Sequence, residues 1–195
     1  MTSSRHYLDT VLSNFRGLKT STERAMEQLD IEDFHWSPDP ESNSIAILVK
    51  HIAGAMISRW TDFLTTDGEK ENRGRDAEFI GGGESVEALM DIWGRGWDLL
   101  FAGIEALSED DLLRVITIRG EAHTVMEAIN RQLLHNSLHV GQIVYIAKHR
   151  RSASWRTLSI PRGKSAEFTP AGQRGMPAVS ALPAGSSTAT DEPER

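Results

Sequence analysis

The chain has 195 residues, 39% hydrophobic and 25% charged, with 28 acidic against 21 basic side chains for a formal charge of -7. This is the composition of one globular domain with a real core, and the acidic balance argues against nucleic acid as a partner, because affinity for phosphate backbones rests on clustered Lys and Arg. The chain contains no cysteine, which excludes disulfides, Fe–S clusters, thiolate metal sites and thiol nucleophiles, so any metal must be held by His, Asp or Glu.

The opening stretch MTSSRHYLDTVLSNF lacks an apolar run of signal-peptide length, and no segment approaches the roughly 18 to 20 apolar residues of a membrane span. The sequence therefore predicts a cytoplasmic protein with no membrane partner. From Ser4 to Leu29, apolar residues at three- and four-residue steps (Leu8, Val11, Leu12, Phe15, Leu18, Met26) predict a first helix. Asp30 to Asn43, with Trp36, Pro38 and Pro40, reads as a connecting loop with the aromatic tucked inward. Ser42, Asn43 and Ser44 offer caps for a second, amphipathic helix over Ile45 to Leu64, lined by Ile45, Leu48, Val49, Ile52, Met56, Trp60 and Phe63.

The charged, glycine-rich stretch Thr65 to Glu84 predicts a long surface loop. Helical spacing resumes from Ser85 to Leu107, weakened in the middle by Gly94 and Gly96. Ser108 and Asp111 resemble a capping box opening a short turn, and Val115 to Ile118 before Arg119-Gly120 reads as a brief extended segment or hairpin. Thr124 and Glu127 form a T-x-x-E capping box for the last long helix, Val125 to about His149. From Arg150 the chain holds five of the seven prolines. Trp155 and Phe168 still predict packing on the body, so the domain is placed at 1–169 and a disordered Pro/Ser/Ala-rich tail at 170–195.

Of the seven histidines, His135 and His139 stand at i and i+4, about 40° apart on one helix face, at the edge of a core stripe spanning roughly 80 to 180° from His135. His51 sits in the same way on the second helix. Two such faces can meet and complete a three-histidine site. Neutral imidazole is the commonest ligand for Zn, Ni, Cu and Fe, and three protein ligands leave positions open for water or substrate. Asn136 stands where an H-E-x-x-H peptidase carries its general base, which disfavours that chemistry. The alternative is that the histidines are partly exposed or core-edge residues without a metal. Gln142 and Arg131 lie about 20° and 40° from His135 on the wheel, so each could orient a ligand or meet a substrate, or else be a solvated polar side chain. His123, before the Thr124 cap, could overhang the site or be a loop histidine. His6, His35 and His149 read as surface or packing residues, Arg59 as the partner of some acidic side chain, and the acidic residues Glu69, Glu71, Asp76 and Glu78 as approaching the metal or merely solvated.

Three segments carry a resemblance: WSPDPESNSIAILVKHIA from Trp36, RWTDFLTTDGE from Arg59, and LLHNSLHVGQI in the last helix. Together they resemble the DinB/YfiT-like superfamily, over roughly residues 5 to 150, and within it a bacterial branch of uncharacterised function. The resemblance implies an all-α four-helix bundle of up-down-down-up connectivity and a divalent metal on His51, His135 and His139, the positions matching the family's ligands. It also implies thiol-dependent chemistry by analogy, since characterised relatives include metal-dependent thiol transferases and a maleylpyruvate isomerase, and it implies a homodimer. The expected function is therefore a metal-dependent enzyme acting on a small molecule, with a thiol-dependent S-transferase first and a metal-activated-water hydrolase as runner-up. Zn2+ or Ni2+ is the expected ion, with Mn2+ or Fe2+ also compatible, and a low-molecular-weight thiol is the expected co-substrate. The rival of a different class is a non-catalytic metal-binding or dimeric scaffold protein.

Overall fold

The computed structural model describes residues 2–167. The expected tail, 170–195, and Phe168 lie outside the described residues. Six α-helices and one β-hairpin occur among them. Four helices are long: α1 (Ser3–Met26), α3 (Ile45–Trp60), α5 (Val86–Glu105) and α6 (Val125–Arg151). α3 packs on α5 and α6, and α1 closes the ring by packing on α6 and α5. No helix among the described residues is long and apolar enough to cross a membrane.

Each long helix starts at a side chain that accepts an orphan backbone N–H. Thr2, Ser44, Ser85 and Thr124 cap α1, α3, α5 and α6, and Thr124 with Glu127 completes the expected capping box. The first three helices end sooner than their apolar spacing predicts. α3 stops at Trp60 because the chain turns at Asp62, whose φ is 47°. α3 is also not a surface helix with one apolar stripe: His51, Ser58 and Arg59 are buried along with its apolar residues, so it is the central element.

Two expected loops fold further than their composition suggests. Asp30 caps a short helix, α2 (Ile31–His35), in a reciprocal capping box with Asp33. The Asp33 carboxylate is 3% exposed and pairs with Arg150 at 2.6 Å and Arg151 at 2.8 Å. That pairing carries α6 two residues into the segment read as tail. His149, read as a surface or packing residue, packs: it stacks on Trp36 at 5.3 Å, with Arg150 over the same indole. The charged stretch 65–84 contains the helical turn α4 (Arg75–Glu78), which packs back on α3.

The extended segment is a hairpin, β1 (Val115–Ile118) with β2 (Glu121–Thr124), closed by Arg119 and Gly120 at φ 57° and 75°. Positive φ at both central residues suits the twist of a two-residue turn. Asp67 anchors it from the preceding loop by accepting from the backbone N–H groups of Gly120 and Arg119, each at 2.8 Å. Those bonds, that of Gly120 foremost, pull its carboxyl down to about 2.

The two glycines of α5 differ in kind. A Cβ at Gly96 would lie 3.1 Å from Ala53 Cα and 3.2 Å from the Ala53 carbonyl oxygen, so this glycine permits the close approach of α5 to α3. A Cβ at Gly94 would meet nothing within 4 Å. Gly96→Ala is therefore expected to cost about 1 to 3 kcal/mol of overpacking. Gly94→Ala should gain about 0.5 to 1 kcal/mol from helix propensity. Urea denaturation of both variants beside the parent checks the opposite signs.

Candidate metal centre

α3 and α6 cross with His51 facing His135 and His139. The three rings each lie within 5.0 Å of the others, centre to centre, and one nitrogen of each falls within 4.8 Å of the other two. His51 Nε2 is 3.0 Å from His135 Nε2. One turn apart on α6, the pair spans the height that lets both rings converge on one point from the same helix.

The outer nitrogens of His51 and His139 are held as well, while His135 Nδ1 is buried without a hydrogen-bond partner among the described residues. His51 Nδ1 meets Glu78 Oε2 at 3.0 Å. A carboxylate only accepts, so the His51 proton sits on Nδ1 and Nε2 keeps its lone pair toward the cluster. His139 Nδ1 donates to Gln142 Oε1 at 2.7 Å, which frees its Nε2 in the same way. Glu78 is gripped by Arg73 through Nε at 2.7 Å and Nη2 at 2.8 Å, a two-toothed pair. Burial pushes the Glu78 carboxyl up, but the bonds from His51 and Arg73 outweigh it and leave it below the usual carboxylate range. Gly54, on α3 next to His51, makes room: a Cβ there would stand 2.2 Å from Glu78 Oε1.

A buried polar chain runs beneath the cluster. Arg59 Nη1 donates to Gln132 Oε1 at 2.5 Å, Gln132 Nε2 to Asn136 Oδ1 at 2.6 Å, and Asn136 Nδ2 to Met56 Sδ at 3.4 Å. Arg59 is thus bonded to an amide and not, as its charge suggested, to an acid. Burial, then Arg131 and Arg73, lowers its guanidinium to about 10. The cluster opens into a cavity of about 390 Å³ whose wall includes Arg59, Arg73, Arg75, Arg119, Arg131 and Phe79.

The structure thus brings His51, His135, His139 and Gln142 together and puts Arg131 on the cavity wall. His123 lies on β2, with Nε2 3.9 Å from Glu121, and is not among the residues lining the cavity. Glu78, Arg73 and Gln132 complete the surroundings without having stood out in the sequence. Only Glu78 left a signal, as one of four loop acids. Three imidazoles within reach of one point, two of them with outer nitrogens pinned by acceptors, are compatible with holding a divalent transition metal.

A family model described as "Protein of unknown function (DUF1572)" matches residues 2–164. No curated protein matches the chain.

Burial, the other two imidazoles and Arg59 hold His135 down to about 3, and burial lowers His139. Unfolded histidines titrate near 6.5, so as pH falls the unfolded chain takes up protons before the folded one. The stability these histidines contribute is present above about pH 6.5 and is lost progressively as pH falls toward about 3. Metal-free protein should show this decline in urea midpoints, and His135→Gln should show a shallower one.

Proposed function

This chain belongs to the DUF1572 family, and for it we propose a divalent-metal-dependent enzyme that uses His51, His135 and His139 to activate a low-molecular-weight thiol for transfer to a small electrophile. The observation that carries the reading is the convergence of the three imidazoles, with His51 and His139 each held from behind by an acceptor, at the mouth of a cavity. The DinB/YfiT-like resemblance belongs to the same proposal. Its up-down-down-up four-helix bundle is supported by the ring of α1, α3, α5 and α6, and its ligand positions by the cluster.

When bound, a Zn2+ or Ni2+ ion with open positions would lower the pKa of a thiol or water. The chain's own residues do the rest. Glu78 and Gln142 fix the tautomers of His51 and His139, so that lone pairs face inward without rearrangement. Arg73 keeps Glu78 ionised and in place. Phe79, 4.9 Å from the His51 ring, shields that imidazole on one side. With no cysteine in the chain, the thiol must come from a co-substrate. Hydrolysis by activated water remains the runner-up, and a cytoplasmic setting, where such thiols are reduced, completes the reading.

Protein prepared without nickel media should hold about one divalent ion per chain by elemental analysis, and His51→Ala or His135→Ala/His139→Ala should hold little. Glu78→Gln and Gly54→Ala leave the ligands in place and should weaken the metal about 10- to 100-fold by freeing His51. With Co2+ in the site, added thiol should give a thiolate-to-cobalt charge-transfer absorption. Its absence with every thiol tried would favour the hydrolase.

The dimeric scaffold reading keeps one supporting observation. Leu134, Leu138 and Tyr145 lie within about 40° on the outer face of α6 and are 68%, 72% and 75% exposed. A second copy of the chain is the occupant proposed for this row. Leu138→Glu should convert a dimer to monomer by light scattering, with metal content unchanged.

A further inference from the structure

The cavity beside the histidines has a charge out of keeping with the molecule. The chain carries a net -7, yet among the described residues the cavity wall holds five arginines and no carboxylate. Behind that wall Glu78 and Glu69 answer Arg73, and Glu69 also reaches Arg119 at 3.4 Å. Arg59, Arg75 and Arg131 make no ion pair among the described residues.

Arg59 is the telling one. It is 7% exposed, so more than nine-tenths buried, it lines the cavity, and its Nε is buried with no hydrogen-bond partner. Among the described residues its one side-chain bond goes to a neutral amide. A buried cation without a counter-charge is costly. Here the Gln132–Asn136–Met56 chain holds that cation in position instead of neutralising it. Arg75 lies over the Phe79 ring, 5.4 Å from its centre, which orders it without neutralising it either.

We infer that the substrate of this cavity is a small oxyanion, a carboxylate- or phosphate-bearing molecule whose charged group is received by Arg59 and Arg131 while its reactive end faces the three histidines. The inference rests on the cavity being the substrate site of the proposed enzyme and adds the class of molecule it takes. The geometry of guanidinium groups suits both anions, since each presents paired N–H donors to two oxygens. The volume of about 390 Å³ is at the small-metabolite end of ligand cavities.

The test is calorimetric titration of the full-length, metal-free chain with inorganic phosphate and with succinate, using succinamide as the uncharged control. The expected result is saturable binding of at least one of the two anions at about one per chain, none of succinamide, and weakening as salt is raised. Arg59→Gln should weaken it at least about tenfold, as expected for losing a charge-assisted pair. Arg131→Gln should weaken it several-fold. Arg131 is exposed, so its variant decides the matter should Arg59→Gln fail to fold. Arg16→Gln, at a remote surface pair with Glu105, should bind as the parent does. Absence of saturable binding by both anions overturns the inference, and so does parental affinity in the folded Arg59 and Arg131 variants. Because no metal is present, these results stand apart from metal stoichiometry. A chain that binds the anion but no metal sinks the proposed enzyme alone, and one that binds metal but no anion sinks this inference alone.

Discussion

Three imidazoles stand ring against ring, with the His51 and His135 Nε2 atoms 3.0 Å apart, and packing this close limits how many of them can carry charge at once. Two protonated rings at a 3.0 Å nitrogen separation would repel strongly, and the neighbouring guanidinium groups add to the penalty. Most of the irregular structure serves this constraint. The loop after α3 returns so that α4 can deliver Glu78 to His51. Arg73 locks that carboxylate, Glu69 steadies Arg73, and Asp67 in the same loop pins the hairpin that carries Arg119. A stretch of charge and glycine is thus the outer half of the centre.

The register between α3 and α6 has its own determinant. Arg59, Gln132, Asn136 and Met56 form a chain of donors with one allowed direction: the guanidinium only donates, so Gln132 presents its carbonyl to Arg59 and its amide to Asn136, which turns its own amide to sulfur. Sliding α6 past α3 by one turn would break these links and leave buried polar groups unpaired, as well as separate His51 from its partners. The absence of side chains at Gly54 and Gly96 belongs to the same design. One glycine admits the Glu78 carboxylate to α3, the other the backbone of α5.

How much of this the sequence disclosed follows from which interactions are local. The four long helices, the caps of α3 and α6 and the facing of His135 and His139 are set by spacings of three and four residues and were legible, whereas α2 and α4 were hidden in segments that read as loops. That His51 faces the pair depends on two helices crossing, and it was legible only as an edge-of-core position matched to another. Glu78 was hidden because an acid in a charged loop looks solvated; nothing local says that a glycine 24 residues earlier opens a place for it. Arg59 was misread for a related reason, since a cation on a helix suggests an acidic partner, whereas its partner is an amide 73 residues away. Arg150 and Arg151 look like the start of a tail until the buried Asp33 is known to face them. In each case the missing information was a long-range counterpart to a charged group.

The two proposed ligands of the cavity are linked by the same electrostatics that make each plausible. A divalent ion among three neutral imidazoles would bring two further positive charges into a wall that already holds three unpaired guanidinium groups. An anion on Arg59 and Arg131 offsets that repulsion, and linkage makes the effect mutual, so that each ligand strengthens the other by the same factor. On this view Arg59 does more than set the register of α6 on α3. An apolar residue in its place would leave the Gln132 carbonyl unpaired, and on the proposed reading its charge also supplies affinity for an oxyanion beside the metal.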